Sequence, residues 1–307
     1  ISTVGTITCE DYSNAISVTV TSSPTALLKG YPGTPPTGEV IAPSTLNICD
    51  GSSPQFFGSG AGSTAYEFLV DGITVQASSA ISSYTSSALS SGEKVTVKTY
   101  NAAGCSTESN PIEIVEQAIP VITFASNLAD NVTFCSNTAI TFTATSTGAT
   151  NYEFTIQGIT KQNSALNIYT AGAAEVANGN FVSVIVTGAG GCTSSSTLTM
   201  VENAITDIGS ITIAVPTICA GDTPGIIQAD AGAVSGVRTY QWQSSTDGVI
   251  WNNIATATGV LEDYTPDSPV AVTTSFRRKI ISSVGPIVCE DLSNVQVITV
   301  SPGPTAV

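Results

Sequence analysis

β-Branched and small polar residues alternate along most of this chain. The stretches ISVTV (16–20), KVTVKTY (94–100), AITFTATS (139–146), FVSVIVTG (181–188), TLTMV (197–201), SITIAV (210–215) and VQVITV (295–300) repeat this pattern. A period of two is that of a half-buried strand. Turn signals separate the runs: VDGI at 70–73, NGN at 178–180, TDGV at 246–249 and SPG at 301–303. No stretch reads as a helix; ATGVLEDYTP (257–266) is too short and ends in proline. Several short strands in every ~85–95 residues, with turns at this spacing, predict an all-β chain of two-sheet sandwiches.

Internal similarity sets the organisation. AYEFLVDGITVQASSAISSYTSS (65–87) matches NYEFTIQGITKQNSALNIYTAG (151–172), aligning Tyr66-Glu67-Phe68 with Tyr152-Glu153-Phe154 and Tyr84 with Tyr169. The two stretches then run to similar ends, IEIVEQAIP and LTMVENAIT, while a third, TYQWQSSTDGVIWNNIA, diverges. ISTVGTITCEDYSNAISVTV (1–20) returns as ISSVGPIVCEDLSNVQVITV (281–300), identical at twelve of twenty positions and displaced by 280 residues. Repeats of this length indicate arrays. The expected division is the end of a preceding module plus linker at 1–27, modules at 28–119, 120–205 and 206–303, and the start of a linker at 304–307. KGYPGTPPTGEVIAPS (29–44) reads as a semi-stiff connector. The echo implies a three-module super-repeat of about 280 residues, and a chain starting at Ile1 is expected to be a processed product or a window on a longer one.

The chain has seven cysteines. Cys49, Cys135 and Cys219 each follow a β-like run and precede polar turn residues; Cys105, Cys192 and Cys289 each follow a long β-like run and a glycine-containing turn, at the closing end of a module. Of the fifteen pairings that six cysteines allow, this context favours one disulfide per module: Cys49–Cys105, Cys135–Cys192 and Cys219–Cys289. Cys9 stands where Cys289 stands, so its expected partner lies upstream of the chain. Paired cysteines imply an oxidising, extracellular location.

Composition narrows the function. Only 10% of residues are charged and the net charge is −15. That surface repels nucleic acid and anionic membranes, and no apolar run is long enough to span a bilayer. Histidine is absent, which removes the commonest general base and metal ligand. No P-loop, GxGxxG, GxSxG or HExxH motif occurs, so no catalytic residue and no cofactor is expected. Adjacent carboxylates at Glu10–Asp11, Glu262–Asp263 and Glu290–Asp291 point to opposite strand faces and form no acid–base pair. Asp247, Glu262, Asp263 and Asp267 are candidate Ca²⁺ ligands from loops of one module, without EF-hand spacing. FRRKI (276–280) sends Arg278 to the face opposite Arg277 and Lys279, a poor nucleic-acid patch. Trp242 is expected in a core near Cys219–Cys289, and Tyr31, Tyr100 and Trp251 as aromatics able to stack on sugars.

Residues Tyr240–Gly248, Tyr264–Pro266, Thr273–Arg278 and Cys289–Val300 read YQWQSSTDG, YTP, TTSFRR and CEDLSNVQVITV. These motifs resemble the repeats of giant cell-surface adhesins of Bacteroidota, typified by SprB-like gliding-motility adhesins exported by type IX secretion. The resemblance covers about 95 residues and the fragment 1–20. It implies an immunoglobulin-like fold, an extended rod and a non-enzymatic role in cell adhesion. The implied partners are further copies of the repeat, surface polysaccharide or a substratum, and the secretion and gliding machinery. Two other expectations are a carbohydrate-binding or spacer region of a secreted enzyme and a self-associating lattice or sheath subunit.

Overall fold

In this computed structural model residues 16–33 and 38–301 are described in full, with the backbone of Ser2–Val4 and Ile7–Cys9. The fold is all-β: tandem immunoglobulin-like sandwiches, with 3₁₀ turns at Ala189–Gly191 and Ala257–Val260. The chain divides into two compact units, residues 1–119 and 120–307.

The first unit holds one sandwich. Its larger sheet orders Ser44–Cys49, Ile112–Gln117, Lys94–Tyr100, Ala65–Val70 and Ile73–Ser79. The facing sheet orders Val40–Ile41, Leu27–Tyr31, Gln55–Ser59 and Ser83–Thr85. Inward residues of both sheets, including Leu28, Phe56, Phe68, Val97 and Ile112, form its core. Leu27–Tyr31 pairs along its length with Gln55–Ser59. The stretch expected to be a connector therefore begins and ends as strands, because Leu28 just before it is buried and Val40 and Ala42 within it pack against the core.

The second unit holds two sandwiches. In the first of these, Ile159–Ser164, Ala149–Ile156, Phe181–Gly188 and Thr193–Thr199 form one sheet, and Thr123–Ser126, Ile140–Thr145 and Ile168–Ala171 the other. In the next, Thr217–Cys219, Gln296–Ser301, Thr274–Val284, Val237–Ser245 and Asn252–Asn253 form the main sheet, with Ile287–Leu292 on Thr274–Val284.

All three sandwiches share one aromatic plan. Tyr84 stacks on Phe68 at 5.7 Å and Tyr169 packs on Phe154 at 5.9 Å. In the third, Tyr264 packs on Trp242 at 5.6 Å. The first two match in detail: Thr74 and Thr160 each donate to a glutamate, Glu67 and Glu153, at 2.6 Å. Asp71-Gly72 and Gln157-Gly158 both turn with positive φ, the requirement of a tight hairpin turn with the strand's own twist.

The expected disulfides are not the ones formed. Cys135 bonds Cys289, with Cα atoms 5.5 Å apart, across the joint between the second and third sandwiches. Cys49 and Cys192 are each disulfide-bonded, whereas Cys105 and Cys219 are free thiols. None of Cys49–Cys105, Cys135–Cys192 and Cys219–Cys289 is therefore present. The reason is geometric. Cys289 lies opposite Ser282, Ile298 opposite Thr274, and Cys219 opposite Ser301, at the far end of the same sheet. From Ser282 to Thr274 alone the sheet runs about 26 Å, far beyond disulfide reach. Opening and closing cysteines sit at opposite poles of a sandwich. Trp242 accordingly packs against Tyr264 in a core with no disulfide. The side chain of Cys9 lies outside the described residues.

ISVTV at 16–20 carries no strand and is exposed. Its twin, Gln296–Ser301, is a strand between two neighbours. Alternation alone makes no ladder where no partner is present.

Candidate functional site: the joint between the second and third sandwiches

Thr133–Cys135 runs parallel to Val201–Asn203, with Cys135 opposite Asn203 at the exit pole of the second sandwich. The hairpin Thr274–Val284/Ile287–Leu292 carries Cys289 at the entry pole of the third. The disulfide thus joins the end of one module to the beginning of the next.

A buried polar group fixes the joint beside the bond. Asn203 is fully buried. Its Nδ2 donates to the carbonyls of Ser282 at 3.0 Å and Ile287 at 3.3 Å. The Ser282 hydroxyl donates to Asn203 Oδ1 and accepts from the Gly236 amide at 3.1 Å. On the linker side the Ala204 amide donates to Ser235 Oγ at 2.7 Å, and the Ser235 amide returns a bond to the Ala204 carbonyl at 2.9 Å. Ile205 then pairs with Val234. Every polar atom of Asn203's amide group has a partner, which is what makes its burial tolerable. A polar cleft of about 160 Å³ opens here, lined in part by Ser136, Asn137, Glu290 and Asp291.

The Ca²⁺ candidates do not converge. Asp247 Oδ1 accepts from the Val249 and Ile250 amides at 2.8 Å and from Ser245 Oγ. Those amide bonds hold its carboxyl below the usual range; it is a turn cap. Asp263 Oδ1 accepts from the Ala229 amide at 2.8 Å. Glu262 reaches Tyr240 Oη and Asp267 takes Ser268 Oγ. Among the described residues no three acidic or cysteine side chains gather as a metal site.

FRRKI divides as its alternation requires. Arg278 is fully buried, stacked 4.4 Å from the Tyr240 ring centroid. Its guanidinium donates to the carbonyls of Glu262 at 3.1 Å, Ile208 at 3.4 Å and Asp230. Desolvation lowers its pKa. Gly209, at φ +65°, keeps this cage open: a Cβ there would lie 2.4 Å from the Asp230 carbonyl oxygen and 2.6 Å from Arg278 Nη2. Sequence alternation placed Arg278 on the face opposite Arg277 and Lys279; that this face is the core, and that its acceptors come from distant loops, had no local signal.

The opposite face holds a shallow cleft of about 320 Å³ lined by Gln243, Arg277, Lys279, Glu290, Asp291 and Leu292. Arg277 lies 4.0 Å over the Trp251 ring and donates to Gln243 Oε1 at 2.8 Å, while Lys279 pairs with Glu290 at 2.7 Å. Tyr31 donates to Glu39 and Tyr100 to Glu67. All three aromatics expected to stack on sugars are engaged within the protein.

A family model described as "Domain of unknown function (DUF8696)" matches residues 208–302, the third sandwich. No curated protein matches the chain. Similar solved structures include the three N-terminal domains of the bacteriophage RB49 highly immunogenic outer capsid protein Hoc, at 13% identity and TM-score 0.40, covering 83% of this chain and 94% of that one. The titin I-band fragment I67–I69 is similar at 9% identity and TM-score 0.39, covering 93% and 100%. Fibronectin(III)-like modules of Clostridium thermocellum CbhA are similar at 15% identity and TM-score 0.36, covering 52% and 92%.

Proposed function

We propose that this chain is a non-enzymatic stalk segment of a long repetitive cell-surface adhesin or filament. The observation that carries the reading is the covalent joint. A spacer transmits tension, and the Cys135–Cys289 bond closes a loop with a sequence separation of 154 residues. At about 3.4 Å per extended residue, it withholds roughly 520 Å of extension if the enclosed sandwiches yield. The buried Asn203 contacts limit bending at the same joint. Disulfides form and persist in oxidising compartments, in keeping with display outside the cell. In this reading the partners are further copies of the repeat, a polysaccharide or substratum gripped by the whole protein, and the type IX secretion and gliding machinery.

Antibodies to the purified chain test this. They are expected to label intact cells that produce it and to reduce attachment or gliding. Labelling only after lysis would overturn the reading. A second reading, carbohydrate binding within a secreted multidomain enzyme, draws on the cleft lined by Arg277, whose guanidinium lies over Trp251. Saturable binding to a glycan array, lost in Trp251→Ala, would favour it over a spacer.

A further inference from the structure

Cys219 ends a strand parallel to Thr299–Ser301 and lies opposite Ser301. That is the position Cys135 holds opposite Asn203, and Cys135 bonds forward to the closing cysteine of the next sandwich. Cys219 is exposed with a free thiol.

The complementary half is in the first sandwich. Cys105 is a closing cysteine, also free. Its Sγ lies 3.8 Å from the carbonyl oxygen of Thr21, and Asn101 Nδ2 donates to the neighbouring Ser22 carbonyl at 2.9 Å. Thr21 stands 280 residues before Ser301, and the echo continues beyond it, with Pro24-Thr25-Ala26 repeated as Pro304-Thr305-Ala306. Cys105 therefore rests on the equivalent of the residue that Cys219 faces.

Two further observations match Ser2–Val4, Ile7–Cys9 and residues 16–21 to the end of a third-type sandwich. Ser2 pairs with Cys9 and Val4 with Ile7, as Ser282 pairs with Cys289 and Val284 with Ile287. Val18 is 81% exposed, whereas its equivalent, Ile298, is fully buried between strands. Among the described residues no strand pairs with 16–20, whereas its twin has strands on both sides.

We propose that Cys219 of one repeat and Cys105 of the following repeat form a disulfide, stapling successive copies by the rule seen at Cys135–Cys289. The partner is a further copy of this repeat. The inference rests on reading the chain as one period of a repeating array. In the bond-forming step two thiols lose two protons and two electrons. A donor disulfide of a thiol–disulfide oxidoreductase accepts them and becomes a dithiol.

The test is a double-length chain in which residue 300 of one copy runs into residue 21 of the next. Cys105 of the first copy and Cys219 of the second are replaced by Ser, so that one of each remains. After oxidation, non-reducing peptide mapping is expected to yield a linked Cys219–Cys105 pair within one chain. Cys219→Ser in the first copy should leave Cys105 of the second open to alkylation, with Cys135–Cys289 intact. Alkylation of both Cys219 of the first copy and Cys105 of the second, in a preparation whose Cys135–Cys289 peptides are linked, would overturn the proposal. So would a Cys219–Cys105 bond that joins separate chains and doubles the mass. Either failure leaves cell-surface labelling unaffected, and labelling only after lysis leaves the linked peptides unaffected, so the two readings fail separately.

Discussion

Val97 lies opposite Phe68 in the first sandwich, and Val184 opposite Phe154 in the second. At the same place in the third, Arg278 lies opposite Trp242. All three are fully buried. Two modules therefore fill one site with a methyl-bearing side chain, and the third fills it with a guanidinium. Strand register decides that the position is inside. What it can hold is decided by neighbouring loops, which in the third sandwich present three carbonyls and the Tyr240 ring.

Exchanging the two solutions breaks the comparison most severely. Val184→Arg buries a charge with no cage around it. We expect a loss of about 5 kcal/mol, read as collapse of the second sandwich in circular dichroism. Arg278→Ala strands its carbonyls and opens a cavity, for about 4 kcal/mol. Both tryptophans of the chain, Trp242 and Trp251, lie in the third sandwich, so fluorescence during urea unfolding follows that module. An unchanged midpoint would show that water replaces the guanidinium without cost.

Gly209→Ala sharpens the point by crowding the cage without removing the charge. Its φ is positive and its space is occupied, so a loss of about 3 kcal/mol is expected. Gly158→Ala, at φ +75° with open space, should cost only about 1 kcal/mol. Equal effects in the two variants would refute the cage.

At the joint, Asn203→Ala leaves the Ser282 and Ile287 carbonyls without their donor. About 2 kcal/mol should be lost, with wider inter-module motion by small-angle scattering once the disulfide is reduced.

The smallest effect separates the two similar sandwiches. Tyr169 donates to Glu175 at 2.8 Å. That bond, with the Gly172 amide and Lys161, holds the Glu175 carboxyl below its usual range. A carboxyl depressed on folding stabilises above its unfolded pKa, and the gain fades as pH falls through the folded value. Glu175→Gln should therefore lower stability by under about 1 kcal/mol near neutrality, and the difference should vanish in acid. A gap that persists in acid would assign the loss to packing.

Much of this was legible without coordinates. Alternation marked the strands, Asp71-Gly72 marked a hairpin turn, and the Tyr-x-Phe echo marked equivalent positions, which the structure places in the two cores. The third module hid the same plan behind a substitution, Trp242 for Phe, because any large ring satisfies that core site. Asn203 was missed because a short joint sequence carries no sign that its asparagine is buried.

The chain's sequence by itself determined which residues face inward, where the turns fall and that the plan repeats, since these depend on local period and side-chain volume. Which cysteines meet was decided by the tertiary structure. Cys219 and Cys289 belong to one module but to opposite poles of its sheet, while Cys135 and Cys289 are far apart in sequence and adjacent in space. Disulfide formation depends on a separation of a few ångströms, and only the packing of one sandwich on the next supplies it.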